Sequence, residues 1–191
     1  TWFWDNHFNT NLDKTGNKLL YELAENDVFR ANALGNFYNL LLSSAQSPAM
    51  LIYLDNLANV KANANENYAR EVLELHTVGV KGGYAQREVE VLAEIFTGWQ
   101  VQNDRFYFNA AQHNAVDKVF WGQSIKGGGV EEGENALRFL ARHPATAKFI
   151  CSKLITVFVS DQPVEALLQR CSDTFISTAS QPDQIAQVLR T

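Results

Sequence analysis

Apolar residues recur at helical spacing in ten short runs, and most runs stop at a glycine, a proline or a cluster of small polar residues. This pattern constrains the chain more than any other feature, because a 3.6-residue period cannot bury its apolar face as a strand and short helices are marginal alone in water. The helices must pack on one another. The period predicts helices over roughly 1–9, 18–25, 33–45, 48–54, 66–78, 86–97, 132–142, 145–159, 164–178 and 182–189. Gly79, Gly82 and Gly83 end one run, Gly98 follows another, and Ser160-Asp161-Gln162-Pro163 separates two more. One stretch breaks the pattern. Arg105-Phe106-Tyr107-Phe108 and Val119-Phe120-Trp121 are aromatic and β-branched and flank a polar segment centred on His113, which reads as a small β-hairpin or extended excursion. The expected fold is therefore mostly α: a multi-helix orthogonal or bundle-like domain of short helices with that one excursion. It is read as a single helical domain over 1–191, with a subdomain boundary near 124–131, where Lys126-Gly127-Gly128-Gly129 forms a hinge.

Composition narrows the function classes. With 191 residues, 46% of them hydrophobic, the chain can bury a core without a metal or disulfide framework, so no cofactor is called for. Sixteen Lys+Arg against twenty-one Asp+Glu give a net charge of −5 with the basic residues scattered, which argues against a nucleic-acid partner. The longest apolar stretch, 40–54, is interrupted by Ser43, Ser44, Gln46, Ser47 and Pro48, so no membrane span is expected. The chain opens at Thr1 on Trp2-Phe3-Trp4 and stops inside the apolar run Val188-Leu189, which reads as a piece of a longer protein.

The densest polar cluster runs from Asn63 to His76. At about 100° per residue, Glu66, Asn67, Arg70, Glu71 and Glu74 share one helix face, while Tyr68, Ala69, Val72, Leu73 and Leu75 share the other, with His76 inside the apolar arc. Two readings stand. The cluster is a solvated ladder of i,i+4 ion pairs, or Glu71, at the edge of the two faces, points into a groove with Arg70 and Asn67. His76 reads as a hydrogen-bonded core histidine, and His7 as either an aromatic-packed residue or the first member of a polar site. His143, just before Pro144, reads as a cap on the carbonyls of the preceding helix. No histidine stands at a metal-ligand spacing, and nucleophile-elbow and phosphate-loop signatures are missing, so no metal is assigned. Cys151 and Cys171 each lie ten residues from Asp161, the centre of a predicted turn. In a helical hairpin they sit level, as a disulfide or as two buried thiols.

Several strings together carry a family resemblance: Trp4-Asp5-Asn6-His7-Phe8, Ala33-Leu34-Gly35-Asn36-Phe37, the stretch from Ser47 to Asn56, Asn65-Glu66-Asn67-Tyr68-Ala69-Arg70-Glu71, Phe96-Thr97-Gly98-Trp99 and His143-Pro144-Ala145-Thr146-Ala147. In this order they resemble the bacterial family known as domain of unknown function 1800. The resemblance implies a helical, extracytoplasmic protein, periplasmic or secreted, encoded beside an exported partner that resembles sulfatases and alkaline phosphatases. It supplies no mechanism. Two departures stand out. Where that family tends to read His-Asp-x-Gly-x-Lys, this chain has His113-Asn114-Ala115-Val116-Asp117-Lys118, and Ala85 replaces a threonine cap.

Two functions compete on these residues. One is a binding or assembly module whose polar groove is built around Asn6, His7, Asp55, Asn56, Glu66, Asn67, Arg70 and Glu71, with His113 as a further candidate. The other is a metal-assisted or acid/base hydrolase using the same cluster, with Glu71 as base or ligand and His7 as acid, base or ligand.

Overall fold

The computed structural model describes residues 1–16 and 19–191. Ten α-helices, with three short 3-10 or π turns, make 57% of the described residues helical. They are α1 (Trp2–His7), α2 (Leu19–Asn32), α3 (Phe37–Ala45), α4 (Pro48–Tyr53), α5 (Asn67–Glu71), α6 (Gln86–Ile95), α7 (Val130–Ala141), α8 (Pro144–Phe158), α9 (Glu165–Ser177) and α10 (Gln184–Leu189). Lys18, the expected start of the second helix, lies outside the described residues. That helix runs on to Asn32 because Val28 and Phe29 continue its apolar stripe. The helix expected from 33 begins only at Phe37, where the Asn36 side chain accepts from Tyr38 N at 3.0 Å and caps it. No helix among the described residues is long and apolar enough to cross a membrane.

Two expectations are corrected. The strand-like stretches Arg105-Phe108 and Val119-Trp121 do not pair with each other. Each forms its own antiparallel hairpin: β1 (Trp99–Gln102) pairs with β2 (Arg105–Phe108), and β3 (Lys118–Phe120) pairs with β4 (Gln123–Ile125). The turns decide this, because Asn103 and Asp104 both take positive φ, as do Trp121 and Gly122, and two-residue turns of that hand match the twist of the strands they join. His143 caps the helix that follows it rather than the one before. Its Nδ1 accepts from Ala145 N at 3.2 Å, with Pro144 at the first helical position, and burial lowers its pKa, which favours the unprotonated acceptor. At α6, Ala85 offers no side-chain cap, but Glu88 Oε2 accepts from Ala85 N at 2.8 Å, which keeps half of a capping box.

The buried apolar side chains form one cluster running from Phe3 to Val188. Trp99 is completely buried, with its ring 5.0 Å from that of Phe96 and edge-on to Phe106 at 5.2 Å. It lies so close over Gly133 of α7 that a Cβ there would come within 2.2 Å of the indole. The α8–α9 hairpin brings Cys151 and Cys171 to disulfide distance, with their Cα atoms 5.8 Å apart. The two ends of the chain are tied by amides: Asn36 Nδ2 donates to Ala179 O and Gln181 O, and Gln184 accepts from Phe37 N while donating to Phe175 O.

Candidate functional site

The helix expected over 66–78 is not uniform. After α5 the backbone widens into a π turn, Val72–His76, whose freed carbonyls are taken up by Thr77 Oγ1, donating to Val72 O at 2.6 Å, and by Gly79 N, donating to Leu73 O at 2.9 Å. In an ordinary α-helix Glu71 and His76 would stand about 140° apart, five steps at about 100°. A π turn repeats at i,i+5 and brings them onto one side, and single π turns recur at functional sites. Both residues line one cavity of about 360 Å³, together with Asn6 and His7 from α1, Asn9, and Tyr53 from α4.

The floor of the cavity is ordered by His7. Its Nε2 lies 3.1 Å from His76 O, which can only accept, so Nε2 carries the hydrogen. Nδ1 then accepts from Lys153 Nζ of α8 at 2.8 Å. Burial, the Lys153 charge and His76 hold the His7 pKa well below its ordinary value. Burial and Lys153 push His76 down to about 3. Both imidazoles are therefore neutral near pH 7, and His7 has no ring nitrogen left for a ligand. His76 is different: its ring makes no hydrogen bond to the described residues. Glu71 likewise makes no hydrogen bond or ion pair with them. Burial and the neighbouring Glu74 raise its pKa, opposed by Arg70.

The other candidate residues lie elsewhere. Glu66 and Arg70 form a solvent-facing network, 2.8 Å apart, with Gln86 bonded to both and Glu74 at 3.7 Å. Asp55 pairs with Lys14 at 3.0 Å, and Asn67 Nδ2 donates to Leu54 O at 3.1 Å. Asn56 is buried and turned inward, with Nδ2 donating to Trp99 O at 2.9 Å and Oδ1 accepting from Asn59. Asn6, His7 and Glu71 are thus brought together, and Asp55, Asn56, Glu66, Asn67 and Arg70 do not line the cavity with them. Asn9, Tyr53, His76 and Lys153 were missed as site residues. Among the described residues no three His, Cys, Asp or Glu side chains are placed to hold a metal ion.

The family model described as "Protein of unknown function (DUF1800)" matches residues 1–191, the whole chain. The chain belongs to the DUF1800 family. Neither the curated proteins nor the solved structures return a match to it.

His113, in the segment where this DUF1800 chain reads Asn114 and Val116, sits apart from the cavity in a buried cluster of its own. Its Nδ1 donates to Thr97 O at 2.8 Å, and its Nε2 lies 3.0 Å from Glu132 Oε1. Lys118 Nζ closes on the other oxygen of Glu132 at 2.8 Å and also donates to Asn114 O and Val116 O. The acid that serves His113 and Lys118 therefore comes from α7, so Asn114 does not leave this DUF1800 loop without one. All three side chains are engaged, and the cluster ties the loop before β3 to the start of α7.

Proposed function

We propose that this chain is a binding module for a hydroxyl-rich ligand, such as one sugar unit of a polymer, held in the cavity over the π turn. The observation that carries this reading is the pair Glu71 and His76, two side chains with unspent polar atoms on one wall. Asn6, Asn9 and Tyr53 add amide and phenol groups beside them. A cavity of about 360 Å³ is at the small end of ligand sites and suits a single monomer. Binding is favoured over acid/base chemistry because His7, the expected second catalytic group, has both ring nitrogens occupied. The cysteine pair supports an extracytoplasmic setting, since disulfides persist in oxidising compartments. In that setting an exported sulfatase- or phosphatase-like protein is the partner to which such a module would deliver or anchor its ligand.

The test is a titration with glucose, galactose and N-acetylglucosamine followed by NMR. At least one sugar should shift the His76 ring and Asn9 amide signals, and Glu71→Gln should abolish the shift while changing stability by less than about 0.5 kcal/mol. No shift with any of the three, or shifts indifferent to Glu71→Gln, would overturn the assignment.

A further inference from the structure

A second, larger cavity of about 720 Å³ lies between α2 and the α3–α4 corner, away from the π turn. Its walls are mainly apolar, with Val28 and Phe29 inside and Leu19 and Leu20 exposed at its mouth. Two polar side chains on its lining are out of keeping with that environment. Glu25 is 8% exposed and Ser44 2% exposed, and both Glu25 Oε1 and Ser44 Oγ are buried without a hydrogen-bond partner among the described residues. The other carboxyl oxygen, Oε2, accepts from Thr10 Oγ1 at 2.9 Å, and the Ser47 hydroxyl of the same lining also favours the ionised carboxyl, so the group is held in place on the cavity wall.

A buried carboxyl oxygen with no partner costs free energy that an apolar residue at the same position would not, so the arrangement calls for a group that completes it. The sign of that group follows from its surroundings. The charges that bear on Glu25 are Glu22 and Asp5, both acids, and burial raises its pKa to about 7. An anion would be repelled. A neutral apolar molecule would leave Oε1 unbonded, whereas an ammonium supplies both the donor and the opposite charge.

We infer that this cavity binds an apolar amine, its hydrocarbon body against Val28, Phe29 and the mouth leucines and its ammonium on Glu25 Oε1, with Ser44 Oγ as a second acceptor. The site is independent of the one over the π turn. It predicts selection by charge among molecules of one shape.

Three naphthalenes serve as probes: 1-naphthylmethylamine, 1-naphthylmethanol and 1-naphthoate, titrated calorimetrically at pH 7.5. The amine should bind at least tenfold more tightly than either of the others. Glu25→Gln should remove that advantage and leave the alcohol unchanged. Ala24→Trp, at an exposed position on the cavity rim, should block all three, and it tests the location even if the glutamine variant folds poorly. Equal affinity for amine and alcohol would overturn the inference, as would amine binding indifferent to both substitutions.

Discussion

Burial, and after it Lys153, 146 positions away, keep His7 from taking up a proton. The Lys153 ammonium donates to His7 Nδ1 and lowers the affinity of that ring for a proton. Replacing Lys153 with Met removes the charge and frees the nitrogen, so the His7 titration, followed by imidazole NMR, should move upward. A His7 signal that does not move would mean that burial alone sets it. A second residue-scale prediction concerns Gly133, where the clash with Trp99 involves a ring already fixed by Phe96 and Phe106. Gly133→Ala should cost about 1–3 kcal/mol in denaturant unfolding, an overpacking penalty unrelated to glycine's low helix propensity, since alanine is the better helix former. Trp99→Ala empties the same space from the other side and should cost about 3–5 kcal/mol.

At the scale of elements, the π turn is the part of the site that depends most on a few side chains. Thr77→Val keeps the shape but leaves Val72 O without its donor, so stability should fall by about 1–3 kcal/mol and hydrogen exchange at 72–76 should accelerate. If exchange there is unchanged, the hydroxyl is not what holds the turn. The same element explains what was legible in the sequence. Helix existence follows from apolar spacing, which is why the runs around 48–54, 86–97, 145–159 and 164–178 are found close to their places. Glu71 was legible too, because it stands at the edge of the two helix faces. His76 was not: the wheel assumes a constant 100° step, and one inserted turn of wider pitch carries a residue from the apolar arc to the cavity wall. Lys153 and Tyr53 carry no local signal, since what brings them to His7 and Glu71 is packing between helices far apart in sequence. The two hairpins read as one in the sequence because their partner strands, Trp99–Gln102 and Gln123–Ile125, have only four and three residues, too few for a period of two to stand out.

For the whole molecule, two buried groups of opposite charge type set the pH range of stability. Glu25 binds its proton more tightly in the folded state, at about 7 against an ordinary 4.5, so its contribution is complete below 4.5 and is lost as pH rises through 7. The amount is about 3 kcal/mol. His76, held at about 3 against an ordinary 6.5, works the other way, and stability is lost as pH falls from 6.5 through 3. Urea midpoints measured from pH 3 to pH 9 should therefore peak in mild acid, between about 5 and 6.5. Glu25→Gln should flatten the alkaline side and leave the acid side intact. A midpoint that rises steadily toward pH 8 would contradict the Glu25 assignment, and one that does not fall between pH 6 and pH 3 would contradict that of His76.

The amides of Asn36 and Gln184 have an effect in time as well as in space. They join positions more than 140 residues apart, and the first turn of α3 is capped from one side by Asn36 itself and from the other by Gln184, which lies near the far end of the sequence. A ribosome delivers residues in order, so the amino-terminal helices are made long before Gln184, which completes the first turn of α3. Until then they have an open flank where α9 and α10 will sit. Closing that flank is a long-range step, the kind of pairing that slows folding.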